Sequence, residues 1–354
     1  MRVLVLGGTG LISTAIVEWL VAKGHTPVLF NRGLSPRRFD YDVETHIGNR
    51  ADFAGFARGM RKVNADAVID MITFDAKTAA HNVRVFRDRV RHFVFCSTVC
   101  VYGGPLTRIP ADENEPHRPV SAYGANKSKA EAAYLKAFRE FGFPATIMRP
   151  SHCYGPGQPL LDIWGYNPSL VTRIRKGRPI VVPGDGQGLW QPGYIGDMAK
   201  GFVGALGRKA TMGKAYNIVG DEVMTWRAFH ERMAKAIGCE ARIVPMTTPQ
   251  IVAGSPKGSA DMLVEIFQYH AAYTNAALKR DVPDFKDLLP WEEGVRRTVA
   301  WMDAADIHQS ANLFPWVDRL ASVLGKFESE LRVLNLRLNP HKPVASKTRR
   351  NPTD

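Results

Sequence analysis

Four apolar residues in a row, Val3-Leu4-Val5-Leu6, run directly into Gly7-Gly8-Thr9-Gly10-Leu11-Ile12-Ser13. A short apolar run without alternation suits a strand buried on both faces, and such strands belong to parallel sheets covered by helices. Glycine lets the following backbone approach a ligand, and the free amides of the next helix, expected to run to about Lys23, receive its charge. Strand, glycine turn and helix in this order predict an α/β protein with a doubly wound parallel sheet. They also predict a pyrophosphate held at Gly7, Thr9, Gly10, Leu11 and Ile12.

The next strand, Pro27-Val28-Leu29-Phe30, ends at Asn31-Arg32. An NAD enzyme often has an acid there, which bonds the adenosine ribose and would repel a 2'-phosphate. Asn31 with Arg32, Arg37 and Arg38 tolerates or attracts that phosphate, so the residues lean toward NADP. NAD stays open, because an amide also bonds ribose hydroxyls. Further strands are expected at Ala67–Met71, His92–Ser97 and Ala145–Met148, with Thr98 delivered to the carboxyl edge where open α/β sheets bind ligands.

Tyr123-Gly124-Ala125-Asn126-Lys127 places a phenol and an ammonium four residues apart, on one face of a helix expected to reach about Phe141. Bringing a phenol from about 10 toward 7 takes roughly three pKa units, about 4 kcal/mol, which a close lysine and a nicotinamide cation could supply. Tyr123 then becomes a general base near neutral pH, with the Thr98 hydroxyl bonding the same substrate oxygen.

The glycine turn, Ser97-Thr98-Val99-Cys100-Val101-Tyr102-Gly103, the Tyr123/Lys127 pair and Arg149-Pro150-Ser151-His152-Cys153-Tyr154-Gly155-Pro156 occur in one order at suitable spacings. Together they resemble the extended short-chain dehydrogenase/reductases, the NAD-dependent epimerases and dehydratases acting on sugar nucleotides, from Met1 to about Ala304. The resemblance implies a Rossmann-type sheet with a smaller C-terminal substrate-binding lobe. It implies cofactor contacts at Asn49 and Arg50, at Met71, at Lys127 and at Pro150, with Thr73 near the ribose; Asp70 is either a neighbour of the site or a buried strand residue. It also implies substrate contacts at Tyr102, His152 and Cys153. Ser13 stands where relatives usually have a third glycine.

Three departures bear on the reaction. The Asp-Glu pair that follows the threonine in sugar-nucleotide dehydratases is replaced by Val99 and Cys100. If that segment stays extended, Cys100 projects beside Thr98, and nearby cations could lower its thiol into a usable acid or base. His152 stands where an asparagine is common, and Trp190 where an arginine grips the substrate diphosphate. Tryptophan can stack on a base or sugar but cannot bind phosphate bidentately, which favours a nucleoside or another sugar conjugate.

The remaining segments are assigned by position. Residues 1–155 are mainly the dinucleotide-binding domain and 156–305 mainly the substrate lobe, the two interleaving. Thr225 is the expected N-cap of a small helix, and Ala260 to Tyr273 is expected as a core helix or a pocket wall. Residues 306–336 form a helical extension, with a helix from Leu313 to about Leu331, and 337–354 a basic tail expected to be disordered.

The 47 basic and 34 acidic residues leave a net charge of +13, densest from His341 to Arg350. The excess is otherwise diffuse, so solvated surface is the expectation and nucleic acid is not the expected partner. Cys96, Cys100, Cys153 and Cys239 lack metal-site spacing, and no metal is expected. No apolar run reaches the roughly 20 residues of a membrane span, and a cytoplasmic protein is expected. The expected function is an NAD- or NADP-dependent redox-neutral dehydratase acting on the sugar part of a nucleoside or nucleotide sugar through a transient ketone. A sugar epimerase, an NADPH-dependent keto-reductase and an RNA-binding protein of the same superfamily are the alternatives, and a homodimer is open as the assembly.

Overall fold

The computed structural model describes residues 1–35 and 39–338, so Arg37, Arg38 and the basic stretch from His341 lie outside the described residues. Strand β1 (Arg2–Leu6) passes through the glycine turn into α1 (Leu11–Ala22). The alternation continues through β2 (Thr26–Asn31), β3 (Glu44–Ile47), α2 (Phe53–Arg61), β4 (Ala67–Asp70), α3 (Ala76–Phe86), β5 (His92–Cys96), α4 (Ala122–Phe141) and β6 (Ala145–Pro150). A late strand, Ala215–Ile218, pairs with β6. The seven strands lie in the order Ala215–Ile218, β6, β5, β4, β1, β2, β3, with every neighbouring pair parallel.

The chain moves outward from β1 through β2 and β3, then returns to lay β4 on the other side of β1. Strand order reverses at that point, which opens a crevice at the carboxyl ends of β1 and β4. Apolar cores on the two faces fix the sheet: Ile16, Leu20, Met198 and Phe202 belong to one, and Phe86, Phe93, Tyr134 and Ile147 to the other. Local capping sets the helix ends. Asp75 accepts from Thr78 N at 2.7 Å at the start of α3, and Ser121 accepts from Gly124 N at 3.1 Å at the start of α4. Helix α4 stops at Gly142, whose φ of 68° is the left-handed conformation glycine adopts freely.

Met198 and Phe202, on the helix Ile195–Gly204, and the strand Ala215–Ile218 come after residue 155, yet they complete the dinucleotide-binding half. The rest of the chain builds a second core from Trp226, Phe229, Trp291 and Val182. Thr225 Oγ1 accepts from Ala228 N at 3.1 Å, the N-cap expected of the helix Trp226–Ala236. The last helix spans Pro315–Leu338, starting later and running longer than its apolar pattern implied. Its first turns carry the buried Val317 and Leu320 into the second core, and Asp318 pairs with the buried Arg173 at 3.1 Å. Among the described residues, no helix is long and apolar enough to cross a membrane.

Candidate active site

At the carboxyl edge of the sheet a cavity of about 430 Å³ is walled by Leu11, Ile12, Met71, Thr98, Tyr123 and Pro150. A second, of about 490 Å³, is walled by Thr9, Asn31, Arg32, Asn49 and Arg50. Gly7, Gly10, Ile72 and Phe74 line both, so the two form one elongated cleft over the glycine turn. A Cβ on Gly7, at φ +85°, would stand 2.3 Å from Ile72 Cγ2. Gly10 N donates to Ser13 Oγ at 2.8 Å. The serine that replaces the expected third glycine is therefore buried and caps the turn. A narrow glycine-floored cleft at a helix N-terminus, continuing to a basic end, fits a nicotinamide dinucleotide.

At the basic end, Asn31 Oδ1 accepts from Gly33 N at 2.8 Å and Asn49 Oδ1 from Ala51 N at 2.9 Å, which fixes both side chains. Arg50 is buried with one arm bonded to Asn82 and 3.6 Å from Asp70, and its Nε and Nη1 have no partner among the described residues. Arg50 lines this end of the cleft with its guanidinium 3.9 Å from the centre of the Phe56 ring. Asp70 and Thr73 are fully buried: Asp70 accepts from Ile72 N, Thr73 N and Thr73 Oγ1 at 2.9, 3.1 and 2.6 Å. This corrects the expectation for Thr73, which braces the turn after β4 and does not face the cleft.

Thr98 leaves β5 in extended backbone, but its hydroxyl accepts from Cys100 N at 3.1 Å, so Val99–Val101 close into a 3₁₀ turn. The condition set for Cys100, that the segment stay extended, is therefore not met, because a threonine that caps its own successors ends the extension. Helix α4 presses on this turn: a Cβ on Gly124 would lie 2.4 Å from Cys100 O. That approach brings the Thr98 and Tyr123 side chains to one cavity. Lys127 is buried, donates to Cys96 O at 2.7 Å, and stands 4.6 Å from the Phe74 ring centre and 5.8 Å from that of Tyr123.

The electrostatics differ from the expectation at two groups. The Tyr123 ring is 45% exposed along the cavity. Desolvation by the surrounding protein nevertheless pushes the phenol above its ordinary value, with the Thr98 hydroxyl opposing the shift. Burial lowers Lys127, opposed by the negative side chains near it. The Lys127 ammonium is thus held beneath the site by a backbone carbonyl, and the protein by itself does not depress the Tyr123 phenol. Cys100 lines the cavity, but burial pushes its thiol up and Glu265 adds to the shift. No cation among the described residues contributes to lowering it.

His152, Cys153 and Trp190 line the same cavity. Trp190 Nε1 donates to His152 Nδ1 at 3.4 Å, and burial holds that imidazole at about 3, so it is neutral. Burial also raises the Cys153 thiol, which donates to Ser151 O at 3.3 Å. Trp190 has one face stacked on Trp226, 4.7 Å away and tilted 22°. Tyr102 does not face the cavity. Its ring is fully buried, its hydroxyl donates to Asn217 Oδ1 at 2.6 Å and accepts from Arg149 Nη1 at 2.7 Å, and Arg149 is paired with the buried Glu131 at 2.6 Å. The substrate role expected of Tyr102 is therefore corrected to a support between the two lobes.

Residues 3–219 match the sequence profile described as "NAD dependent epimerase/dehydratase family". The chain belongs to that family. It is an enzyme of the NAD-dependent epimerase/dehydratase type, with Thr98, Tyr123 and Lys127 at one cavity. Among similar proteins, 2'-dehydrokanamycin reductase of Streptomyces kanamyceticus is 25% identical over 81% of this chain and 80% of its own. Chloroplast stem-loop binding protein of 41 kDa b of Arabidopsis thaliana is 27% identical over 72% of this chain and 66% of its own. The solved dTDP-glucose 4,6-dehydratase of Bacillus anthracis, in complex with NAD, superposes with a TM-score of 0.70 at 18% identity, over 86% of this chain and 97% of its own. That likeness shows the fold of this epimerase/dehydratase-family enzyme.

Among the cavity residues that the sequence analysis did not single out are Phe74, Gln158 and Glu265. Phe74 follows a strand end whose later side chains have no fixed pattern. Glu265 lies in the stretch expected as a core helix or a pocket wall, on a π-helical turn, Leu263–Phe267, which no apolar period announces.

Proposed function

We propose that this enzyme interconverts a carbinol and a ketone on the sugar part of a nucleoside or other sugar conjugate, using NAD or NADP. The observation that carries the reading is the convergence of Thr98, Tyr123 and Lys127 on the cavity that continues into the glycine-floored cleft. A dinucleotide held over Gly7, Gly10, Leu11 and Ile12 would supply the hydride acceptor for the carbinol carbon and the donor for its return. Tyr123 Oη takes the carbinol proton, and the Thr98 hydroxyl bonds the same oxygen and orients it. Lys127, fixed by Cys96 O, supplies positive charge beneath the phenol. The ketone acidifies the neighbouring C–H, so the same first step serves epimerisation, elimination or net reduction.

Elimination needs a further acid or base. Cys100 was the sequence candidate, and its raised thiol is a poor one. Epimerisation or reduction is therefore favoured over dehydration. The likeness to a 2'-dehydrokanamycin reductase supports a sugar conjugate without a nucleotide. The family's NAD dependence favours NAD, and the NADP lean keeps only Asn31 and Arg32 on the described surface. A relative named for stem-loop binding gives nucleic acid some support, but the assembled hydroxyl, phenol and ammonium favour chemistry.

The test is Tyr123→Phe. Its turnover should fall by about 10²–10⁴-fold, with dinucleotide affinity nearly unchanged, because only the ionisable hydroxyl is lost. Wild-type turnover in this variant would remove Tyr123 from the mechanism. Cys100→Ser should remain active; loss of net turnover with hydride exchange retained would restore dehydration.

A further inference from the structure

Ser151 Oγ, His152 Nε2 and Gln158 Oε1 are buried and have no hydrogen-bond partner among the described residues. All three residues line the cavity that holds Tyr123. Buried polar atoms are ordinarily paired, so three orphans in one wall are suited to a polar ligand. Their chemistry narrows what that ligand offers. Because Trp190 donates to His152 Nδ1, the proton of this neutral imidazole sits on Nε2. The unpartnered atoms are thus a donor at His152, an acceptor at Gln158 and a hydroxyl that is both at Ser151, a set that complements sugar hydroxyls.

The charges narrow it further. Among the described residues lining this cavity, Lys127 is the only lysine or arginine, and its ammonium is engaged by Cys96 O. Glu265 is the only aspartate or glutamate lining it, is exposed, and makes no hydrogen bond or ion pair with the described residues. A free negative charge with no free positive charge repels a diphosphate and attracts an ammonium. Trp190, stacked on Trp226, adds an apolar wall and no phosphate ligand.

We propose that this half of the cavity binds a phosphate-free glycoside bearing an amino group, with Ser151, His152 and Gln158 taking its hydroxyls and Glu265 its ammonium. The proposal takes from the oxidoreductase reading only that the ligand is a sugar. Calorimetry on the full chain saturated with NAD⁺ tests it with three probes: kanamycin, its fully N-acetylated derivative, and UDP-glucose. Kanamycin should bind about 10- to 100-fold more tightly than the acetylated form, the range of a hydrogen bond to a charged group, and UDP-glucose more weakly than either. In Glu265→Gln the advantage of the free amines should fall to about onefold. Gln158→Leu should weaken kanamycin and its acetylated form alike, by roughly tenfold. Tightest binding by UDP-glucose, no binding by kanamycin, or an unchanged amine preference in Glu265→Gln would overturn the assignment. The heat of binding does not depend on turnover. Failure here would leave the Tyr123→Phe result standing, and failure of hydride transfer would leave these affinities in place.

Discussion

Replacing Gly124 by alanine tests whether the catalytic geometry depends on the close approach of α4 to the turn after Thr98. The added Cβ would sit 2.4 Å from Cys100 O, where ordinary contact begins at 3.4 Å, so helix and turn must part by the difference, 1.0 Å. The Cys100 carbonyl carbon at 3.0 Å and Pro119 Cβ at 3.1 Å hinder a sideways escape. Overpacking of this kind costs about 1–3 kcal/mol, while alanine returns about 1 kcal/mol of helix propensity, so the net loss of stability should be ~0–2 kcal/mol. The effect on rate should be larger, because Tyr123 and Lys127 ride on α4 while Thr98 stays with β5. A displacement near 1 Å between reacting groups costs on the order of 10²-fold. The assay is single-turnover hydride transfer, followed by nicotinamide absorbance with the keto sugar the wild type reduces best, beside urea unfolding of both proteins. A rate within about threefold of wild type in a folded variant would refute the argument, since misplacement of this size should be felt.

Two further outcomes follow from the cleft and the second core. Gly10→Val should abolish dinucleotide binding, because a branched side chain would fill the space shared by both parts of the cleft; unchanged calorimetric affinity in a folded variant would defeat the site. His230 is fully buried with neither ring nitrogen partnered among the described residues, and burial lowers its pKa from 6.5 to about 3. The unfolded chain therefore binds a proton below about pH 6.5 that the folded chain refuses until about 3, and stability falls as pH falls through that window. Between pH 7 and 5 this group should cost ~2 kcal/mol, so His230→Phe should narrow the difference in unfolding free energy between those pH values by that amount. An equal pH dependence in both proteins would contradict it.

What was legible in the sequence is what short-range periodicity and local chemistry control. Val3–Leu6 read as a doubly buried strand, the glycines after it as a turn that approaches a ligand, and Thr225 as a helix cap that bonds its own neighbour. The pairing of Tyr123 with Lys127 followed from helical spacing for the same reason. Other outcomes needed groups distant in the chain. Thr98 turned back on Cys100 N, with α4 packed against the carbonyl of Cys100, and this decided that the segment after the strand does not stay extended. Tyr102 looked like a site residue until Arg149 and Asn217, 47 and 115 positions away, took its hydroxyl into the interior. Desolvation decided the phenol, the thiol of Cys100 and the imidazole of His152, and no sequence window reports how much protein surrounds a group. The orphaned atoms of Ser151, His152 and Gln158 and the free carboxylate of Glu265 likewise became one wall only through tertiary packing, because proximity between segments a hundred residues apart is a property of the folded core and of nothing shorter.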